Sequence, residues 1–368
     1  MPEAHVAEFQ EHRFPCDQCG ADYRFDPLQT QLVCDHCGHS AAIEGAGRRA
    51  QSIRELDFEK ALNAQLPEAE IEETRVLSCP NCAAQIEMGS ADHAAECPFC
   101  ATPVVTGTGT HRHIKPKAVL PFALDERTAR RAMGDWLGRL WFAPSGLQDY
   151  ARKGRKMQGI YVPYWTFDAD TKSRYSGERG TIYHETRTVM RDGKRQKITV
   201  SKVRWRAASG RVARFFDDVL VLASTSLPKR YTDALEPWDL SGLEPYSPEF
   251  LAGMRAEGYT IELQGGFAEA RHYMDRVIER DVKFDIGGDR QRVHQVATDI
   301  NDVTFKHILL PVWLAAYKYR GKSYRFVVNG STGRVQGERP YSAWKITLAI
   351  ICGLLLAAAV GYSVAMSQ

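Results

Sequence analysis

Residues Cys16 to Cys37 read CDQCGADYRFDPLQTQLVCDHC, two Cys-x-x-Cys pairs separated by 14 residues. A second stretch, Cys79 to Cys100, reads CPNCAAQIEMGSADHAAECPFC, and each of its cysteines stands 63 residues after its counterpart. This is an internal repeat. Each pair brings two thiolates to one side of a tight turn, and two such turns on facing hairpins complete a tetrahedral set of four sulfurs, the coordination Zn2+ prefers. The sets Cys16, Cys19, Cys34, Cys37 and Cys79, Cys82, Cys97, Cys100 therefore predict two zinc ribbons, over 1–45 and 76–105, each holding one ion. A lone Cys-x-x-Cys would suit redox chemistry, but four matched pairs do not. With every position filled by sulfur, no site stays open for substrate, so both metals are read as structural. Metal binding of roughly 10–16 kcal/mol then supplies most of the folding energy of segments too small for their own core. His36, His39 and His93 neighbour the clusters, but the ligand count is complete without them. Cys352 lies in an apolar C-terminal run and is read as packing.

At 368 residues, with 44% hydrophobic and 25% charged content, the chain has room for two or three globular domains and is neither disordered nor fibrous. Its net charge of +3 conceals a division. Residues 1–110 hold 7 Lys+Arg against 18 Asp+Glu and residues 111–368 hold 41 against 27, so the two parts carry −11 and +14. Phosphate binding runs on Lys and Arg, so ribbons set in an acidic excess favour a protein partner over nucleic acid. The N-terminus lacks the basic start and apolar core of a secretory signal. By contrast Ile346 to Met366, ITLAIICGLLLAAAVGYSVAM, runs 21 residues without a charge. That is enough to cross roughly 30 Å of hydrocarbon as a helix. Arg334, Arg339 and Lys345 precede this span, Ser367 and Gln368 follow it, and Tyr341 and Trp344 stand where an interfacial belt would. The positive-inside rule then predicts a single-pass protein of the cell (inner) membrane with its bulk in the cytoplasm. An anchor this close to the end leaves the ribosome after synthesis, which predicts tail-anchored insertion. Gly353, Ala357, Gly361 and Ala365 recur every four residues, a stripe that could pair helices into a homo-oligomer, although an Ala-rich span produces such a stripe by chance as readily.

Between the ribbons, SIRELDFEKALNAQL opens with a Ser52–Glu55 capping box and sets Ile53, Leu56, Leu62 and Leu66 near helical spacing, predicting a helical linker over 46–75. After the Gly/Thr-rich linker TGTGTH, Thr106 to His111, residues 114–340 change character. LDERTARRAMGDWLGRLWF predicts a helix capped by Asp125, and FAEARHYMDRVIERDV a second. Strand-like runs with hairpin turns at Asp192-Gly193, Gly321 and Gly330 complete an α+β domain on an antiparallel sheet. IYVPYW (Ile160 to Trp165) and ILLPVW (Ile308 to Trp313) share a pattern that raises a second duplication. Proline at a strand start and a buried tryptophan account for the pattern without chemistry.

From Tyr150 to Arg214 there are 17 Lys+Arg against 5 Asp+Glu, with Tyr161, Tyr164, Trp165, Tyr175, Tyr183 and Trp205 interleaved. Such a sheet could meet nucleic acid, anionic lipid or the chain's own acidic N-terminal part, and a solvated basic face is the simplest reading. No G-x-x-x-x-G-K-[ST], H-E-x-x-H or Rossmann glycine pattern occurs. Asp168/Asp170, Asp217/Asp218 and His184-Glu185 have no base or metal set beside them in sequence, so no enzymatic activity is assigned.

The paired cysteine sets, PFALDERTARRAMGDWLGRLWFAP, GIYVPYWTFDADT, SGERG, FDDVLVLAS, LLPVWLAAYKYRGKSYRFVVNGSTGRVQGERPYSAWKI and the single span together resemble a bacterial double-zinc-ribbon membrane protein family over nearly the whole chain. Its members are often labelled primosomal protein N-prime or superfamily II helicase-like, or transcription-factor-IIB-type zinc ribbon proteins. This chain lacks the helicase phosphate-binding loop, and only the eight cysteines carry over as site residues. The family also resembles membrane-stress components that recruit a band-7 (SPFH-type) scaffold. The resemblance thus implies an adaptor; a membrane-tethered nucleic-acid-binding protein without helicase activity is the alternative.

Overall fold

The computed structural model describes residues 14–44, 46–47, 53–87, 94–99, 102–105, 109–143, 157–191, 194–319, 322–338 and 341–366. The first cysteine module is a three-stranded sheet of β1 (Tyr23–Asp26), β2 (Gln31–Cys34) and β3 (Ser40–Ala42). A two-residue strand β4 (Leu56–Asp57) and a short helix α1 (Phe58–Leu62) lead to the second. There β5 (Ile71–Ser78) lies between β6 (Gln85–Glu87) and β9 (Gly109–Ile114), while β7 (Ala94–Glu96) pairs with β8 (Pro103–Val105). Next come β10 (Ala118–Val119) and α2 (Glu126–Gly138), then the long hairpin of β11 (Gln158–Arg191) and β12 (Lys194–Leu222). Helix α3 (Lys229–Asp233), β13 (Glu244–Pro245), β14 (Arg255–Ala256) and helix α4 (Leu263–Ile286) follow. The third long strand β15 (Arg290–Tyr319), β16 (Lys322–Asn329), β17 (Val335–Gly337) and helix α5 (Ala343–Met366) end the chain.

The frame is an α+β arrangement in which β11 lies between β12 and β15, antiparallel to both. The outer edge of β15 is covered in turn by β4, β10 and β16, whereas β12 ends the sheet. The sheet changes character along its length. At its base both faces are covered, which is why GIYVPYWTF and ILLPVW are continuous apolar runs rather than alternating ones. Tyr161, Leu309 and Trp313 point to the face carrying α2 and the first module. Ile160, Val162, Tyr164, Ile308, Leu310 and Val312 point to the face carrying the second module and α3.

Farther out the pattern becomes strict alternation, with Thr171, Ser173, Tyr175 and Gly177 buried and Lys172, Arg174 and Ser176 exposed. One face there is covered by α4, whose Leu263, Gly266, Ala270, Met274, Val277, Ile278, Val282 and Ile286 form the apolar stripe expected of a helix on a sheet. Gly266 is required here: a Cβ would lie 2.6 Å from Trp165. β15 pairs with β11 only as far as Gly180↔Arg290, so residues 181–191 and 194–204 continue as a two-stranded ribbon. At about 3.3 Å per residue this end reaches about 35 Å past the third strand.

Several expectations are met and others corrected. Asp125 caps α2, accepting from the Thr128 N–H at 2.9 Å, and α4 begins four residues before the predicted stretch. The predicted linker helix shrinks to α1, capped by Asp57 accepting from the Lys60 N–H at 2.9 Å. Ser52 lies outside the described residues, and Glu55 does not cap a helix because its carboxylate is engaged by the buried Lys306. Part of the Gly/Thr linker is strand, because Gly109–Ile114 pairs with β5. The turns at Asp192-Gly193 and Gly321 lie outside the described residues, between the directly paired Arg191↔Lys194 and Tyr319↔Lys322.

Pro163 and Pro311 sit inside long strands, not at strand starts, each where a neighbour's ladder ends. Ala223 N–H donates to the Pro163 carbonyl at 3.0 Å, and the Ala223 carbonyl, lacking a proline donor, accepts from Thr260 and Ile261 instead. The two Pro-Trp motifs pair antiparallel, Pro163 opposite Leu309 and Tyr161 opposite Pro311. Both indoles are buried and satisfied, Trp165 donating to the Ile261 carbonyl and Trp313 to that of Leu124, each at 2.9 Å.

Candidate functional site: two cysteine centres and a basic arm

In the first module Cys16 and Cys19 flank a turn before β1, Cys34 ends β2 and Cys37 lies in the turn after it. The knuckles close through Gly20 N–H to the Cys16 carbonyl (2.8 Å) and Gly38 N–H to the Cys34 carbonyl (2.9 Å), with both glycines at φ 74°. All four sulfurs lie within 4.8 Å of one another. Cys16 and Cys37 are 3.5 Å apart, as are Cys19 and Cys34. A disulfide would need about 2.05 Å. A tetrahedron with metal–sulfur bonds of about 2.3 Å has edges of about 3.8 Å, close to what is seen. The four cysteines could hold a metal ion.

The electrostatics agree. Burial pushes the Cys16 thiol up, but N–H groups of Gln18 and Cys19, with the Tyr23 hydroxyl and Cys37, bring it down to about 6. The Ala21 N–H favours thiolate at Cys19, yet desolvation and the other three sulfurs push it up to about 12. Four adjacent thiolates do not coexist without a cation among them. His39 is not gathered with the four sulfurs, and its Nδ1 pairs with the Tyr23 hydroxyl at 2.7 Å.

In the second module Cys79, Cys82 and Cys97 gather within 4.8 Å, with Cys82 and Cys97 3.6 Å apart. The predicted fourth ligand, Cys100, and His93 lie outside the described residues. The knuckle repeats the first one, Ala83 N–H bonding the Cys79 carbonyl at 2.9 Å, but Ala83 takes the left-handed backbone (φ 57°) that glycine takes in the first module.

Neither module hangs free. Phe25 packs edge-on against Phe250 at 5.6 Å, and its N–H bonds the Ala252 carbonyl at 2.9 Å. Cys79, Ile86, Cys97 and Phe99 are buried against the opposite face of the sheet, and Gly258 N–H bonds the Gln85 carbonyl at 3.0 Å. These contacts fasten the two cysteine modules to the base of the sheet, away from its outer end.

No family model matches the chain, and no solved structure matches it. The chain is similar to the uncharacterized protein YdjG of Bacillus subtilis (strain 168). The two are 24% identical over 336 residues, which cover 90% of this chain and 91% of that protein.

Beyond the buried base, residues 171–191 and 194–214 of the basic stretch form the outer sheet, here termed the arm. Past Gly180 both faces of the ribbon are open, and Ile182, Tyr183, Met190 and Ile198 are exposed among its charges. Residues 181–204 hold 7 Lys+Arg against 2 Asp+Glu. Where β15 ends, Trp205 lies across its partner Gly180 and under the Arg292 guanidinium, 3.9 Å from the ring centre. A Cβ at Gly180 would lie 2.8 Å from Val203 and 2.9 Å from Trp205.

A third cluster was not foreseen. Lys306, 7% exposed, places Nζ 2.7 Å from both Glu55 Oε1 and Asp218 Oδ1. Asp168 accepts from the Asp218 N–H at 2.7 Å, and Thr304 donates to Glu55. Burial and the adjacent Glu55 push Asp168 up to about 7. Burial works to raise Glu55, but Asp168, Lys306 and Thr304 hold it down to about 2. The acidic residues Asp168 and Asp218 were visible in sequence; their cation, 251 residues from Glu55, was not. Beside this cluster His307 is kept neutral, burial pulling it down to about 3 while Nδ1 donates to the Ile114 carbonyl. Every charge in the network has a partner, so its work is to tie the inter-module linker to the sheet.

The C-terminal helix stands apart from this core. Ala343–Ser363 is long and apolar enough to cross a membrane, and none of it is buried.

Proposed function

We propose that this chain is a single-span adaptor of the bacterial inner membrane that presents its arm to a protein partner on the cytoplasmic side. Two Zn2+ ions serve as structural staples in the cysteine modules, the second completed by Cys100. The observation that carries the reading is the ribbon beyond Gly180. A two-stranded ribbon open on both faces is marginal in water, and a chain that keeps apolar side chains on one gains by laying it on another surface. Its positive charge suits an acidic protein face. A band-7 (SPFH-type) scaffold is the partner the family resemblance implies. Because both modules are docked, recruitment is assigned to the arm, and the modules hold its base. The four-sulfur sets leave no coordination position for catalysis, which supports an adaptor over an enzyme.

A second reading, a membrane-tethered nucleic-acid binder, is favoured by Trp205 under Arg292 and by Arg204 over Tyr183 at 5.2 Å, since aromatic and guanidinium planes also stack on bases. Capture from native membranes separates the two readings. Full-length protein should retain a discrete membrane protein partner, and a variant with residues 182–203 replaced by an Asn-Gly turn should lose it. Steeply salt-sensitive retention on DNA or RNA columns by the intact arm, with no protein captured, would overturn the adaptor reading.

A further inference from the structure

Of the seven tryptophans in the chain, two are broadly open to solvent, Trp141 at 85% and Trp344 at 74% exposure. Trp165, Trp238 and Trp313 are buried, Trp136 packs edge-on against Phe326, and Trp205 is covered by Arg292. The two open ones lie together. Ser342 N–H bonds the Phe142 carbonyl at 2.7 Å, and Lys345 Nζ reaches the Ala143 carbonyl at 2.7 Å. Trp141 and Phe142, in the turn that follows α2, are thereby fixed beside Tyr341 and Trp344 at the start of α5.

The segment is held in place from its own side as well. Arg139 N–H bonds the Trp136 carbonyl (3.2 Å), Leu140 N–H that of Leu137 (3.2 Å), and Ala143 N–H that of Leu140 (3.0 Å). Leu137 and Ala143 are buried. The outward indole of Trp141, with Phe142 beside it, is therefore presented by a turn anchored to the core through Leu137 and Ala143.

We infer that Trp141 and Phe142 form a second membrane contact, a foot that enters the headgroup layer of an anionic bilayer beside α5 and fixes how the body sits on it. Indole is the side chain best suited to that layer, apolar in its ring and polar at its N–H. The described charge beside it has the matching sign, because Arg139 is exposed on the same turn and Lys345 stands on the adjoining turn of α5. Basic residues near a membrane surface are each worth about 1 kcal/mol against anionic lipid. A foot held by hydrogen bonds to the first turn of the span cannot swing away from the bilayer as a flexible tether would. The inference rests on the reading that α5 spans a membrane.

Tryptophan quenching tests it with the full chain. The protein is placed in nanodiscs of phosphatidylcholine and phosphatidylglycerol whose upper acyl chains carry bromine. Trp141→Phe and Trp344→Phe should each remove about half of the bromine-quenched emission, and the double variant nearly all of it. Both substitutions are at exposed positions, so folding is preserved. Loss of quenching with Trp344→Phe but not with Trp141→Phe overturns the foot while leaving the span intact. No bromine quenching in the unsubstituted protein means that α5 does not span, and the foot falls with it. Discs of phosphatidylcholine alone should lower the Trp141 share selectively; an unchanged share overturns the anionic preference.

Discussion

Replacing Lys306 by methionine should unfold the base of the arm in a pH-dependent way. Its ammonium lies 2.7 Å from Glu55 and 2.7 Å from Asp218, with 7% of the residue exposed. Methionine keeps the volume and removes the charge, leaving Glu55, Asp168 and Asp218 facing one another. Removing one partner of a buried pair costs roughly 3–5 kcal/mol. The protein can escape part of that by protonating Glu55, which at pH 7 costs about 1.36 kcal/mol for each unit above its ordinary value near 4.3, or about 3.7 kcal/mol. The loss at pH 7 is therefore capped near that figure, a fall of about 5 °C in melting temperature for a body of this size. Glu55 is depressed in the native protein, so its stabilising share is present above its ordinary value and fades as pH falls toward 2. At pH 5 the cap shrinks to about 1 kcal/mol. Thermal melts of the full chain in nanodiscs, followed by tryptophan emission at pH 7 and pH 5, read both numbers. A deficit under about 1 kcal/mol at pH 7, or one that stays constant down to pH 5, would refute the coupling. Adding Glu55→Gln to Lys306→Met should recover most of the loss.

Asp168→Asn should flatten the dependence of melting temperature on pH between about 4 and 7, because the native protein holds the Asp168 proton through that window and loses stability as pH rises through it. Cys16→Ser should halve the metal content measured by elemental analysis, from two ions per chain to one. It should also speed hydrogen exchange at the Phe25 amide, whose partner is the Ala252 carbonyl. Gly180→Val places a branched side chain where even a Cβ lies 2.8 Å from Val203. The ribbon past it should fray, giving faster proteolysis between residues 181 and 204 with the melting temperature of the body unchanged.

What sequence could show here follows from how local the deciding contact is. The Asp125 cap and the cysteine knuckles are closed within a few residues, and both read correctly in position. α4 was recognisable from its stripe because one amphipathic face meets one sheet. The three long strands were not legible as such. β11 is doubly buried at Ile160–Phe167 and alternates from Thr171 outward, so one strand of 34 residues carries two periodicities and reads as several short ones. Glu55 was misread for the same reason in reverse. Its place after Ser52 imitates a capping box, while the contact that decides its role lies 251 residues away. Gly109 to His111 read as linker because only the neighbouring β5 gives their backbone a partner.

The change of periodicity falls at one level of the sheet. Residues 217 and 218 of β12 together oppose Asp168, and residues 302 and 303 of β15 fall where the register shifts beside Ala169. Asp218 and Asp302 both take left-handed backbone, φ 50° and 51°, a conformation aspartate tolerates better than most residues. Two bulges flanking one strand bend and twist both neighbours at the same point, which lets the arm leave the base in a new direction without breaking β11. Such a bend carries a cost, since two acidic residues, Asp168 and Asp218, stand at the bulge, and Asp168 is buried where it accepts from the Asp218 N–H. Lys306 neutralises them, and Glu55 balances Lys306. Glu55 stands beside β4, in the segment joining the two cysteine modules, and β4 adds to β15 at Thr304 and Phe305, next to the bulge. The linker therefore crosses the sheet where the bend needs a counter-charge, and the direction of the arm is set by the same contacts that seat both modules. A substitution at Lys306 should consequently loosen the arm and the linker together, whereas loss of a metal should reach the arm only through the docking of its module.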